Sequence, residues 1–214
     1  MMDLTSLDST TMEYLDDIVN LDSESTLWSL GNHDYDDIEL VSKYTKRENY
    51  YSYYQDGITF LVLDTQLDSS KVIGPQLAFV QSVLDTITES SHVILVTHHL
   101  LWMADDGYLE TIADSISNAP INDCWYCIQP NNFYDEIYPR LVDLEDKGIQ
   151  TICLAGDLGY KVNEFEHTTP DGVQYLASGV IFTKPEQNQI LEFTHNVSTR
   201  TLDWEYKLVK DLIK

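Results

Sequence analysis

The stretch Val93-Ile94-Leu95-Val96-Thr97-His98-His99 decides how this chain reads. Four apolar residues in a row predict a strand with no polar face, and three polar side chains follow it without a spacer. In α/β sheets, residues just beyond the carboxyl end of a strand are the ones that converge on a site. Two other segments share the layout: Thr26-Leu27-Trp28-Ser29-Leu30 runs into Gly31-Asn32-His33-Asp34, and Thr151-Ile152-Cys153-Leu154 runs into Ala155-Gly156-Asp157. Taken singly, Gly31-Asn32-His33-Asp34 reads equally as a turn closing a strand, because Gly, Asn and Asp are common turn residues. His98 or His99 alone reads as a buried histidine satisfied by hydrogen bonds. Three such strand ends carrying Asn, His, His and Asp point instead to a site.

The segments around these ends supply the layers. Residues 8–20 have helical apolar spacing through Met12, Leu15, Ile18 and Val19, with Ser9 or Thr10 placed to cap them. Residues 26–30 read as a strand. Tyr50–Tyr54 and Ile58–Leu63 flank Gln55-Asp56-Gly57, and an Asp-Gly pair between β-rich runs predicts a tight hairpin. Residues 75–88 read as a helix with Pro75 in its first turn, and 133–147 as a helix ending before Gly148. Residues 100–132, with Asp105-Asp106-Gly107, two prolines and a Cys-x-x-Cys, read as a long, partly helical surface insertion. The remainder is β-rich, with strands at 161–167, 173–177, 189–195 and 201–206. An order that is mixed at first and then purely β predicts one α/β domain over 1–214, a layered α/β or αββα sandwich with an antiparallel continuation.

Composition narrows the partners. An apolar fraction of 43% with 11% aromatics is that of a globular chain. Thirty-six acidic against 12 basic residues give a formal net charge of −24. Such a surface excludes non-specific binding to nucleic acid or an anionic membrane, which needs clustered Lys and Arg. It also repels phosphate, unless a bound divalent metal reverses the field locally. No stretch has the apolar length of a membrane span, and Met1-Met2-Asp3-Leu4-Thr5 has neither the basic nor the apolar region of a signal peptide. Cys124 and Cys127 form one isolated Cys-x-x-Cys, which reads as a local disulfide or two loop thiols before it reads as a zinc or redox site. Cys153, in an apolar run, reads as a small buried core residue.

Gly31-Asn32-His33-Asp34 followed by the strand-borne Thr97-His98-His99 resembles the calcineurin-like metallophosphoesterase superfamily. The aromatic hairpin ending in Leu63-Asp64-Thr65 and the helix carrying Gln76-Leu77 add to the resemblance, which covers nearly the whole chain. It implies an αββα double β-sandwich and hydrolysis of phosphate esters by two divalent metals drawn from Mn, Fe and Zn. It implies that Asn32 and His98 are ligands of the second metal, that His33 stabilises the phosphoryl transition state or protonates the leaving oxygen, and that Asp34 orients His33. His99 falls behind these ligands as a supporting residue, and no substrate-binding residue is indicated.

The chain departs from that pattern in two places. The family's Asp-x-His and Gly-Asp-x-x-Asp motifs precede Gly-Asn-His-Asp, but the first glycine here is Gly31 and the first histidine is His33. The strands bearing those motifs, the bridging carboxylate and the first metal's main ligands are therefore expected to be missing. The family's later Gly-His-x-His is replaced by Gly156-Asp157-Leu158-Gly159, where Asp157 offers an oxygen ligand and Gly159 offers none. What remains is part of a two-metal site, with Asn32, His98 and Asp157 around one divalent ion. Two activities follow: a metallophosphoesterase that is truncated or divergent, or a degenerate, non-catalytic binding or scaffold domain of the same descent.

Overall fold

The computed structural model describes residues 7–117, 121, 124, 126–158, 161–181 and 183–212. Its frame is a mixed six-stranded sheet in the order β1-β2-β3-β4-β6-β5. The strands are β1 (Tyr51–Gln55), β2 (Ile58–Val62), β3 (His92–Val96), β4 (Gln150–Ala155), β5 (Glu164–Thr168) and β6 (Gln174–Ser178). β2, β3, β4 and β6 run parallel, while β1 and β5 pair antiparallel along the two edges. The turn joining β1 to β2 has Asp56 and Gly57 both at positive φ (51° and 92°), the pair of left-handed residues that a two-residue hairpin demands.

β3 is buried along its whole length and feeds two cores by alternation. Val93 and Leu95 point to a core shared with helices α3 (Gly74–Thr86) and α5 (Tyr138–Glu145). Ile94 and Val96 point the other way, onto Leu191, Phe193, Leu202 and Trp204 of a separate two-stranded sheet, β7 (Gln189–Asn196) and β8 (Thr201–Leu208). Helices, large sheet and small sheet make three layers, so the α/β class and the β-rich end are as the sequence predicts. Helix α1 (Ser9–Val19) packs separately through Met12 and Leu15 against Trp28 and against Leu40 and Tyr44 of α2 (Ile38–Thr45).

Several readings need correction. The cap of α1 is Asp8, whose carboxylate accepts from Thr11 N at 2.8 Å, not Ser9 or Thr10. Residues 26–30 join no strand ladder. Side chains hold them instead. Tyr51 Oη both accepts from Trp28 N (2.7 Å) and donates to Trp28 O (3.0 Å), and the Arg47 guanidinium donates to the carbonyls of Ser23, Glu24 and Thr26. The helix at 133–147 begins with a π turn, Phe133–Ile137, just before Pro139, which has no N–H to continue an α-helical ladder.

The segment that starts the 100–132 region is no surface loop. Leu100, Leu101, Trp102, Met103 and Ala104 are buried in the helical core, and Trp102 stacks on Tyr175 of β6 with ring centroids 5.1 Å apart. A short helix, α4 (Leu109–Ile116), follows. Five residues with no polar face carry no periodicity to distinguish a core-filling turn from an exposed insertion. Trp102→Ala is expected to cost about 3–5 kcal/mol in denaturant unfolding, the range for deleting a buried aromatic. A change within about 0.5 kcal/mol, typical of a surface position, would place the segment outside the core.

Candidate metal centre

The three strand ends do converge, and backbone bonds explain how. Beyond β3, the carbonyl of His98 accepts from both Gly156 N (3.3 Å) and Asp157 N (3.2 Å), tying the end of β4 to the end of β3. Ser117 Oγ donates to Asp157 O at 2.9 Å, anchoring that corner to the end of α4. Gly31 comes in from the unpaired segment, so close to the His98 ring that a Cβ on it would lie 2.9 Å from Cε1 and 3.0 Å from Nδ1. A side chain here forces the His98 ring or the turn to shift. Asp34 fixes the turn from inside, its Oδ2 accepting from Gly31 N (2.8 Å) and Trp28 Nε1 (3.1 Å).

The result is a dense cluster. Asn32 Oδ1 faces His98 Nε2 at 3.0 Å, and Asp157 Oδ2 lies 3.8 Å from His98 Nε2 and 3.9 Å from His99 Nε2. Asn32, His98, His99 and Asp157 expose only 7, 2, 1 and 5% of their surface. Burial drives the pKa of His98 well below the usual imidazole value, helped by the neighbouring His99, and lowers His99 to about 4. Both rings are therefore neutral at neutral pH, the form that ligates a metal.

The donor set fits a divalent ion. His98, His99 and Asp157 each offer a ligand atom, and these atoms all lie within 4.8 Å of one another. Bonds of about 2.1 Å in a tetrahedral arrangement set ligand atoms about 3.4 Å apart. The two separations from Asp157, 3.8 and 3.9 Å, need to close by about 0.4–0.5 Å against that tetrahedral spacing, within a set that spans up to 4.8 Å. Two imidazoles, a carboxylate and an amide oxygen suit Zn, Mn or Fe.

Of the expected residues, Asn32 lies against His98, and His98 and Asp157 stand together with His99, whose ring also offers a ligand atom within the same 4.8 Å. His33 is partly exposed with Nδ1 4.0 Å from Asp36 Oδ2, and is near enough for its charge to weigh on His98. Gly159 lies outside the described residues. Cys124 and Cys127 form a disulfide, and Cys153 is a buried thiol of β4 whose pKa burial pushes up.

Asp64 and Gln76, both within the stretches that carry the resemblance, support the site from below, while Gln66 and Ser70 had no signal in the sequence. Gln76, fully buried on α3, accepts from Asp64 N and donates to Asp64 O, clamping the end of β2. The Asp64 carboxylate accepts from Tyr35 Oη, Asn49 Nδ2 and the N–H groups of Gln66 and Leu67. Gln66 and Ser70, on the loop that follows, reach the His99 ring.

No family model and no curated protein matches the chain. Among the described residues, no helix is long and apolar enough to cross a membrane.

Gly31→Ala is expected to cost about 1–3 kcal/mol of stability, since the added methyl forces the His98 ring or the turn to move. Denaturant midpoints and the His98 imidazole NMR shifts read this out. An unchanged midpoint with unchanged His98 shifts would refute the close approach.

Proposed function

We propose that this chain is a metal-dependent phosphoesterase of the calcineurin-like type, its ion held by His98, His99, Asp157 and Asn32. One observation carries the reading: two neutral imidazoles, a carboxylate and an amide oxygen converge at the ends of β3 and β4 and at the Gly31–Asp34 turn. A bound divalent ion supplies Lewis acidity toward phosphoryl oxygens and acidifies water. The chain's own residues divide the rest. Asn32, His98, His99 and Asp157 hold the ion, with Asp157 the one carboxylate among them. His33, at the exposed rim, gives a proton to the leaving oxygen. Asp34 keeps the turn closed through Gly31 and Trp28, which fixes where His33 stands. The αββα sandwich of that family is the fold into which the three observed layers would extend.

A second reading has its own support. The four donors are almost closed to solvent, which favours a domain that binds an ion or partner without turning over an ester.

Elemental analysis together with hydrolysis of an aryl phosphate in Mn²⁺ separates the two. The phosphoesterase reading expects about one equivalent of metal, its loss in Asp157→Ala, and a fall of about 10²-fold or more in rate for His33→Ala. Stoichiometric metal without hydrolysis above the buffer rate would leave the binding domain. Hydrolysis equal in wild type and His33→Ala would remove His33 from the mechanism.

A further inference from the structure

We propose that Ser70 is a positioning residue for the candidate centre, holding His99 in the tautomer that turns its Nε2 lone pair toward Asp157. Ser69 and Ser70 are consecutive non-glycine residues in the left-handed region, at φ 51° and 67°. L-residues visit that region reluctantly, and consecutive visits are kept only when the surroundings enforce them. Here they do: Ser70 N donates to Thr65 O at 2.9 Å, and Asp64 Oδ1 holds the other end of the loop through Gln66 N and Leu67 N. Glycine would take this backbone without strain. What serine adds is the hydroxyl.

That hydroxyl belongs to a fully buried residue and has two neighbours. Gln129 N donates to it at 3.2 Å, and His99 Nδ1 lies 3.1 Å away. The Gln66 amide nitrogen, a donor, sits 2.9 Å from His99 Nε2 and 3.5 Å from Nδ1, so its shorter contact is to Nε2. A donor facing Nε2 requires that nitrogen to be unprotonated, so the ring proton is on Nδ1 and points at Ser70 Oγ. The Tyr126 backbone adds a hydrogen bond that favours the ring's protonated form, working against burial. Nε2, the nitrogen 3.9 Å from Asp157 Oδ2, is left as the acceptor. For Nε2 to act as a ligand, the Gln66 amide must swing aside while Ser70 keeps the proton where it is. Partners of this kind, on the far nitrogen of a ligating histidine, set ring orientation and basicity.

The inference rests on His98, His99 and Asp157 being a metal centre, but its first readout does not. Ser70→Gly is the informative variant, because it relieves the left-handed strain while deleting the hydroxyl. Long-range ¹H–¹⁵N NMR of the metal-free wild type, with His99 assigned against His99→Gln, is expected to show a protonated Nδ1 and a bare Nε2. In Ser70→Gly the His99 nitrogens are expected to shift toward a mixture of the two tautomers, and Mn²⁺ or Zn²⁺ affinity to fall about 10–100-fold, with the thermal midpoint nearly unchanged. A wild-type His99 protonated on Nε2, or a Ser70→Gly spectrum with His99 unaltered, would overturn the proposal. Should Ser70→Gly fail to fold, Ser70→Ala provides the same spectrum on the same criteria. If wild type binds no metal at all, the metal-centre reading falls, while the NMR comparison still decides the role of Ser70.

Discussion

No side chain fits between the backbone of Gly31 and the imidazole of His98, and much of the molecule is arranged around that contact. His98 extends from β3, a central strand fixed by ladders on both sides. Gly31 extends from a segment with no ladder, so its position has to be set by other means. Tyr51 takes both polar groups of Trp28, Ser29 Oγ reaches Leu63 O at 3.3 Å, and Asp34 bridges Gly31 N to the Trp28 indole. Arg47 is one of only 12 basic residues beside 36 acidic ones, yet its guanidinium donates to the carbonyls of Ser23 and Glu24, just before this segment, and of Thr26 at its start. Buried side-chain bonds stand in for strand pairing.

The same device builds the floor beneath His99. The 64–70 loop carries no ladder, and its ends are held by the Asp64 carboxylate, by Gln76 on both backbone groups of Asp64, and by Ser70 N on Thr65 O. Burial pushes the Asp64 carboxyl up, against the Tyr35 hydroxyl and the loop N–H groups that favour its charged form. Polar networks of this kind hold a single geometry, because loss of any member strands a buried partner. A centre whose donors must keep a working separation gains from such a frame.

These supports explain what the sequence could and could not convey. Asp56-Gly57 and the apolar runs of β2 and β3 announce themselves, because turn chemistry and burial on both faces leave local marks. Asn32, His98 and Asp157 are legible for a related reason, each standing directly after an apolar run. Thr26–Leu30 has the composition of a strand and lacks only a pairing partner, which composition does not encode. Leu100–Ala104 has the apolarity of core but sits between polar residues that suggest a loop. Ser70 and Gln66 lie in a stretch rich in polar and turn-forming residues. Their value comes from meeting His99, 29 and 33 positions away along the chain.

The charge of the chain bears on the order in which such a centre would fill. With a net charge of −24, the surrounding potential draws cations in and turns anions away. The donors themselves, two uncharged imidazoles and an amide beside one carboxylate, carry one negative charge of the same sign as the surface field. An ester arriving first meets an anionic surface and donors exposed by only a few per cent. An ion arriving first meets attraction and donors already gathered within 4.8 Å, and its two charges then offset the field at the one place a phosphoryl group has to approach. On the phosphoesterase reading, loading must therefore precede substrate. On the binding-domain reading, the same potential and the same closed donors already account for retention of a cation without turnover.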